Sequence, residues 1–209
     1  GKNKLFAVAL ESGKEQWQLS LKGAYFSPAV VDGTVFVRSE SGNEGYVLAL
    51  SAATGARLWQ HQFPAVGSSY DNIGGHVTSP VVVGGRLLVG AAHSFVALDA
   101  ATGNEQWVFP TEFPVVSSAS IDDDTVYFSD FTRLYAVDLQ TGQERWRFDH
   151  GKLSLYFAPV LFADQVALSG HDTIYVLNRA DGSLAWSRGF ADLQMIPAGA
   201  SARYLFVKS

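Results

Sequence analysis

An imidazole stands beside a carboxylate at His171-Asp172 and at Asp149-His150, and Asp122-Asp123-Asp124 is a run of acids. Such pairs are half of an acid–base device or part of a metal shell. Catalysis also needs a nucleophile next to its base, or two carboxylates converging in a pocket. The remaining pieces are missing. The 5 His show neither His-x-His nor His-x-x-x-His spacing, so no metal shell is expected. With 0 Cys there is no disulfide, thiolate ligand or thiol nucleophile, and the redox compartment stays open. No Gly-x-Ser-x-Gly elbow and no Gly-rich phosphate loop occurs. Asp122-Asp123-Asp124 stands where Asp32-Gly33 and Gly84-Gly85 stand in related stretches, so it reads as a hairpin tip. Ser117-Ser118 align with Ser27 and Ser79 as strand residues. No catalytic residue and no metal site is expected.

Composition narrows the classes further. A hydrophobic share of 47% with 17% charged residues describes an ordered globular chain. A net charge of −5 without any long Lys/Arg run argues against nucleic acid. No apolar stretch is long enough for a membrane helix and no signal peptide is visible, so direct membrane insertion is not expected. The start at Gly1-Lys2-Asn3, directly before a strand, reads as a domain taken from a longer precursor.

What positions these groups is a repeat. The 5 Trp each close a stretch in which a β-branched and apolar run meets a Gly four residues before the Trp. The stretches run from Ala7 to Trp17, Ala49 to Trp59, Ala97 to Trp107, Ala136 to Trp146 and Val176 to Trp186. Their glycines are Gly13, Gly55, Gly103, Gly142 and Gly182. Gly enters positive φ without a Cβ clash, as a tight hairpin requires. Each stretch is therefore a β-hairpin carrying an indole at a fixed place on its second strand. The Trp and Gly residues are assigned to docking between copies.

A second hairpin alternates with the first: Ala24 to Val37 turning at Asp32-Gly33, with relatives at 77–89, 116–128, 157–168 and 195–206. Two hairpins in series make a four-stranded antiparallel blade of about 40 residues, the size of a propeller blade. No sustained 3.6-residue apolar period appears, so essentially no helix is expected. Trp-to-Trp spacings are 42, 48, 39 and 40. The 23 residues after Trp186 and the 17 up to Trp17 together make one further repeat. The expectation is a single all-β propeller domain over 1–209, five blades closed by a split N-/C-terminal blade. The alternative is a fragment of a seven- or eight-bladed ring.

The 11-residue stretch resembles the tryptophan-docking motif of the PQQ-like (quinoprotein-type) β-propeller repeat, Ala-x-Asp-x-x-Thr-Gly-x-Glu-x-Trp. Residues 97–107 and 136–146 match it in full. The first copy has Ala9 for the Asp and Ser12 for the Thr; the second has Ser51 for the Asp. The last has Val176, Asn178 and Asp181 as substitutions. The resemblance covers nearly the whole chain and specifies architecture more than function. It implies a non-catalytic scaffold for protein–protein contact in the bacterial cell envelope, periplasmic or extracytoplasmic, similar to BamB-type propellers. A second implied class is the sensor propeller of bacterial receptor Ser/Thr kinases, which would take a small-molecule ligand such as PQQ. A third is a remnant of a quinoprotein dehydrogenase. Those enzymes carry adjacent Cys, calcium ligands and a catalytic Asp, none of which this sequence matches, so no cofactor is expected.

The candidate contact surface follows from register. Loops between blades share a face with loops joining second and third strands, and the connection from Pro64 to His76 is longer than its counterparts. Extra length in one copy of a repeat usually maps to a binding face. Tyr25, Tyr70, Asp71, His76, Asp130, Tyr156 and His171 are the residues expected to meet a peptide, a strand edge or a small ligand. The chain is expected to be a monomer.

Overall fold

The computed structural model describes residues 3–21, 27–41, 44–63, 78–151, 157–190, 196–201 and 203–208. The described residues are strands, turns and short connections, with no helix among them. β1 (Asn3–Val8) pairs with β2 (Glu15–Leu21) in a two-stranded sheet. β3 (Ala29–Val31), β4 (Thr34–Ser41), β5 (Glu44–Ser51) and β6 (Arg57–Phe63) form a four-stranded sheet in chain order. So do β7 (Val81–Val83), β8 (Arg86–Gly90), β9 (Ser94–Asp99) and β10 (Glu105–Pro110). The same order recurs in β11 (Ser120–Asp122), β12 (Thr125–Ser129), β13 (Arg133–Asp138) and β14 (Glu144–Asp149). It recurs again in β15 (Val160–Phe162), β16 (Gln165–Gly170), β17 (Thr173–Asn178) and β18 (Leu184–Gly189). β19 (Ile196–Ala200) and β20 (Leu205–Lys208) close the chain as a second two-stranded sheet. These sheets are the blades of a β-propeller.

The chain divides into two compact units, residues 1–92 with 96–106, and residues 93–95 with 107–209. In each, the middle strands are buried on both faces, which is why they read as unbroken apolar runs rather than alternating ones. In the first unit Val47 and Ala49 of β5 join Phe36, Leu87, Val89, Val96 and Leu98 in one cluster. Leu48 and Leu50, on the other face of the same strand, join Leu21, Val35 and Val37 in another. In the second unit Leu134 and Ala136 pack with Tyr127, Trp146, Val166, Leu168 and Leu177. Phe95 stacks on Phe128 there at 4.0 Å between centroids.

The turns explain the repeat. Asp99 Oδ1 accepts from the Thr102 amide at 2.8 Å, the Thr102 hydroxyl at 2.8 Å and the Ala101 amide at 3.1 Å. Asp138 Oδ1 makes the same set with Thr141 and Gln140 at 2.9–3.0 Å. The following Gly103 and Gly142 take φ +76 and +69. Where the motif departs, other groups serve: Ser51 Oγ accepts from the Thr54 amide at 3.3 Å, and Asp181 Oδ1 from the Ser183 amide at 2.9 Å. In four ladders the residue opposite the Trp is small or β-branched: Ala7, Ala49, Ala136 or Val176. A bulge follows each of these pairs, which re-aims the strand beside the indole.

β1–β2 and β19–β20 are each a two-stranded sheet, the first in one compact unit and the second in the other. Trp186 is 43% exposed. An ideal Cβ on Gly13 would meet nothing within 4 Å.

Candidate functional site

The turns from the second to the third strand carry His93 in the β7–β10 blade, Asp130 in the β11–β14 blade and His171 in the β15–β18 blade. Within the second unit the Asp130 turn is knitted to its surroundings. Asp130 is buried, its Oδ1 accepting from the amides of Thr132 and Arg133 at 2.8 Å each and its Oδ2 from the Tyr135 hydroxyl at 2.8 Å. Both oxygens are engaged, so Asp130 shapes the turn from inside instead of presenting a charge. Burial, then the neighbouring Asp130, pushes the Tyr135 phenol well above its usual range and keeps it a donor.

Arg133 reaches outward from the same turn. Its Nη1 donates to Glu112 Oε2, and its Nε donates to Asp149 Oδ2 at 3.1 Å. Glu112 lies in the connection before β11, where its carbonyl is 3.1 Å from His93 Nδ1. The His93 carbonyl accepts from the Thr111 amide at 2.9 Å. One arginine thus ties the turn, the preceding connection and the outer strand into one frame. Behind it, Ser117 Oγ accepts from the Ser129 amide at 2.8 Å. Thr78 does the same for Gly90 at 2.8 Å in the first unit. These hydroxyls lie three residues before the first strand of the blade, so Ser117-Ser118 precede the strand in which they were expected.

His150 differs from the exposed His171. Its ring packs on Tyr175 at 5.5 Å and Phe148 at 6.4 Å. Burial lowers its pKa to about 4, against a smaller opposing pull from Asp149, so the imidazole is neutral near pH 7. The remaining candidates Tyr25, Tyr70, Asp71, His76 and Tyr156 lie outside the described residues. Arg133 and Glu112 escaped sequence reading because isolated charges in loops carry no periodic signal. Asp149-His150 was visible as a pair, but the packing of its imidazole on Tyr175 and Phe148 was not.

The chemistry open to this frame is limited. No group of three or more His, Asp or Glu among the described residues could hold a metal ion. At the opposite hairpin tips, Asp124 pairs with Arg145 at 2.6 Å, and Asp122 accepts from Arg179. Asp138 also receives Arg145, at 2.8 Å, which with the turn amides holds its carboxyl at about 2. The quinone cofactor that gives the repeat its name carries three carboxylates and a flat ring system. It would need free cations and a flat aromatic floor. Arg133, Arg145 and Arg179 are already matched to carboxylates, and the docked indoles are covered by the next hairpin.

That docking is the most regular geometry in the chain. Trp17, Trp59, Trp107 and Trp146 donate Nε1–H to the carbonyls of Ala52, Ala100, Leu139 and Arg179 at 2.9, 3.1, 3.0 and 2.8 Å. Each carbonyl lies three residues before the Gly that meets the same indole. This repeat is what a family model captures: residues 1–152 and 130–209 match the PQQ-repeat model described as outer membrane protein assembly factor BamB. The chain belongs to this family.

Family membership accords with a solved structure of BamB from Moraxella catarrhalis. It superposes with a TM-score of 0.82 at 21% identity, over 98% of this chain and 64% of that one. Curated relatives include a tetrathionate hydrolase of Acidithiobacillus ferrooxidans, 22% identical over 81% of this chain and 38% of its own length. Another is the serine/threonine-protein kinase AfsK of Streptomyces griseus, 26% identical over 74% of this chain and 20% of its own length. The chain spans less than two-fifths of these relatives' lengths. No helix among the described residues is long and apolar enough to cross a membrane.

Proposed function

We propose that the chain is a non-catalytic scaffold that binds an extended peptide or exposed strand edge of a protein partner in the bacterial cell envelope, on its periplasmic side. The observation that carries this reading is the frame around Arg133. It fixes the loop face with charge-assisted bonds, and no group of three or more His, Asp or Glu among the described residues could hold a metal ion. A rigid loop array of this kind suits strand or peptide capture. The family description, an assembly factor for outer membrane proteins, supports a protein partner. The contact surface would comprise His171 and the loop residues Tyr25, Tyr70, Asp71, His76 and Tyr156.

A photo-crosslinking residue at His171, with exposed Asp164 at the opposite hairpin tip as control, tests the reading in envelope extracts. A discrete protein adduct from position 171 alone is expected, lost in a Tyr70→Ala/Asp71→Ala background. Equal labelling from both positions, or adducts indifferent to that double substitution, would remove the surface assignment. The kinase relative favours a second reading, a ligand-sensing extracytoplasmic domain. A small molecule that raises the melting temperature in the absence of any protein partner would favour it.

A further inference from the structure

Two residues after each docked tryptophan, on the same face of its strand, the chain places Leu19, His61, Phe109 and Phe148. Phe109 packs on Tyr135 at 5.3 Å and Phe128 at 5.7 Å in the next blade. Phe148 packs likewise on Tyr175 at 5.6 Å. His61 of β6 stands in the corresponding place against the turn and outer strand of the β7–β10 blade. His61, Gly103 and Glu105 all lie in the first compact unit. At this seam a titratable ring replaces an apolar filler.

Both ring nitrogens of His61 face acceptors. Nδ1 is 3.1 Å from the carbonyl oxygen of Gly103, the glycine on which Trp59 docks. Nε2 is buried and lies 3.3 Å from Glu105 Oε1, at the start of β10. A neutral imidazole carries one N–H and one bare lone pair. With the proton on Nδ1, the lone pair of Nε2 is left beside the carboxylate. With the proton on Nε2, the lone pair of Nδ1 is left beside the carbonyl. Only the imidazolium answers both: Nδ1–H donates to Gly103, and the charge pairs with Glu105. Phe63 covers the ring edge-on at 5.0 Å between centroids, and the Arg38 guanidinium of β4 stacks on Phe63 at 4.9 Å. The charged groups around His61 are thus Glu105, which favours the cation, and Arg38 beyond Phe63, which opposes it.

We propose that His61 is a pH-sensitive lock on this seam. Protonated, it ties β6 to the Gly103 turn and to Glu105; deprotonated, it gives up one of these two contacts. The contribution of the lock is present in acid and lost as pH rises. His150, in the second unit, has the opposite sign, because burial holds it neutral and acid removes its contribution. Acid therefore strengthens one unit and weakens the other. This inference does not depend on the loop-face reading.

Nitrogen NMR of the labelled His61 ring from pH 5.5 to pH 8.5, with urea unfolding at both ends, tests it in the 209-residue chain. The variants are Glu105→Gln, His61→Phe and the two combined. His61→Phe supplies the side chain that Phe109 and Phe148 already place at two other seams. In acid the wild-type ring is expected to carry protons on both nitrogens, and to bind the second about threefold or more tightly than in Glu105→Gln. Glu105→Gln should lower the urea midpoint at pH 5.5 and leave it unchanged at pH 8.5. In the His61→Phe background its effect should be the same at both values. Titration of His150 is common to all four proteins and cancels. A His61 ring that stays a single tautomer throughout overturns the proposal, and so does a proton affinity indifferent to Glu105→Gln. An effect of Glu105→Gln on unfolding that varies with pH equally with and without His61 overturns it as well.

Discussion

The indole of Trp146 occupies the space a side chain would need at Gly182. An ideal Cβ there would stand 2.5 Å from Trp146 Cε3, while the indole N–H reaches the Arg179 carbonyl at 2.8 Å. The glycine thus serves two needs at once, a positive φ and a flat surface for the ring. That double demand links the turn chemistry of one blade to the packing of the one before it.

Gly182→Ala and Gly13→Ala separate the two demands. Both place Cβ in the left-handed region, at a cost of about 1–2 kcal/mol. Only Gly182→Ala also drives Cβ into a docked ring, adding about 1–3 kcal/mol of overpacking. Urea unfolding should show the Gly182 variant losing roughly twice as much stability as the Gly13 variant. Equal losses would mean that the indole yields freely.

Asp130 should matter to stability out of proportion to its size. Asp130→Ala leaves the Tyr135 hydroxyl and two amides without their acceptor inside the protein, a loss of about 2–4 kcal/mol. Adding Tyr135→Phe should recover part of that loss, because the buried hydroxyl goes too. A double-mutant cycle on chemical denaturation measures the coupling; strict additivity would deny the bond its role.

His150 should make the fold acid-sensitive well above the carboxylate range. Its folded-state pKa is lowered to about 4 by burial, below the unfolded value of about 6.5. Its contribution is therefore complete above pH 6.5 and is lost as pH falls toward 4. His150→Phe keeps a ring against Tyr175 and Phe148. Between pH 7.5 and 5 the wild type should lose on the order of 1–2 kcal/mol more than this variant, read from denaturant midpoints at both values. Parallel pH profiles for the two would count against a neutral buried ring.

Gly at positive φ, the Asp–Thr turn and the both-faces-buried strand are local devices, and each leaves a mark in a short window of residues. For that reason the hairpins, the four-stranded blades and the role of Trp17, Trp59, Trp107 and Trp146 could be read from spacing alone. Trp186 has the same local sequence and a different environment, 43% exposed, because docking depends on what stands beside a blade and not on the blade itself. Ring closure is not legible in spacing for the same reason: residue counts measure chain length, whereas closure depends on how sheets are rotated and placed. Asp130, expected on the surface from its loop position, is buried because Tyr135 and the Thr132 and Arg133 amides fold over it. Such burial arises from partners converging in three dimensions, and the tertiary structure alone decided it.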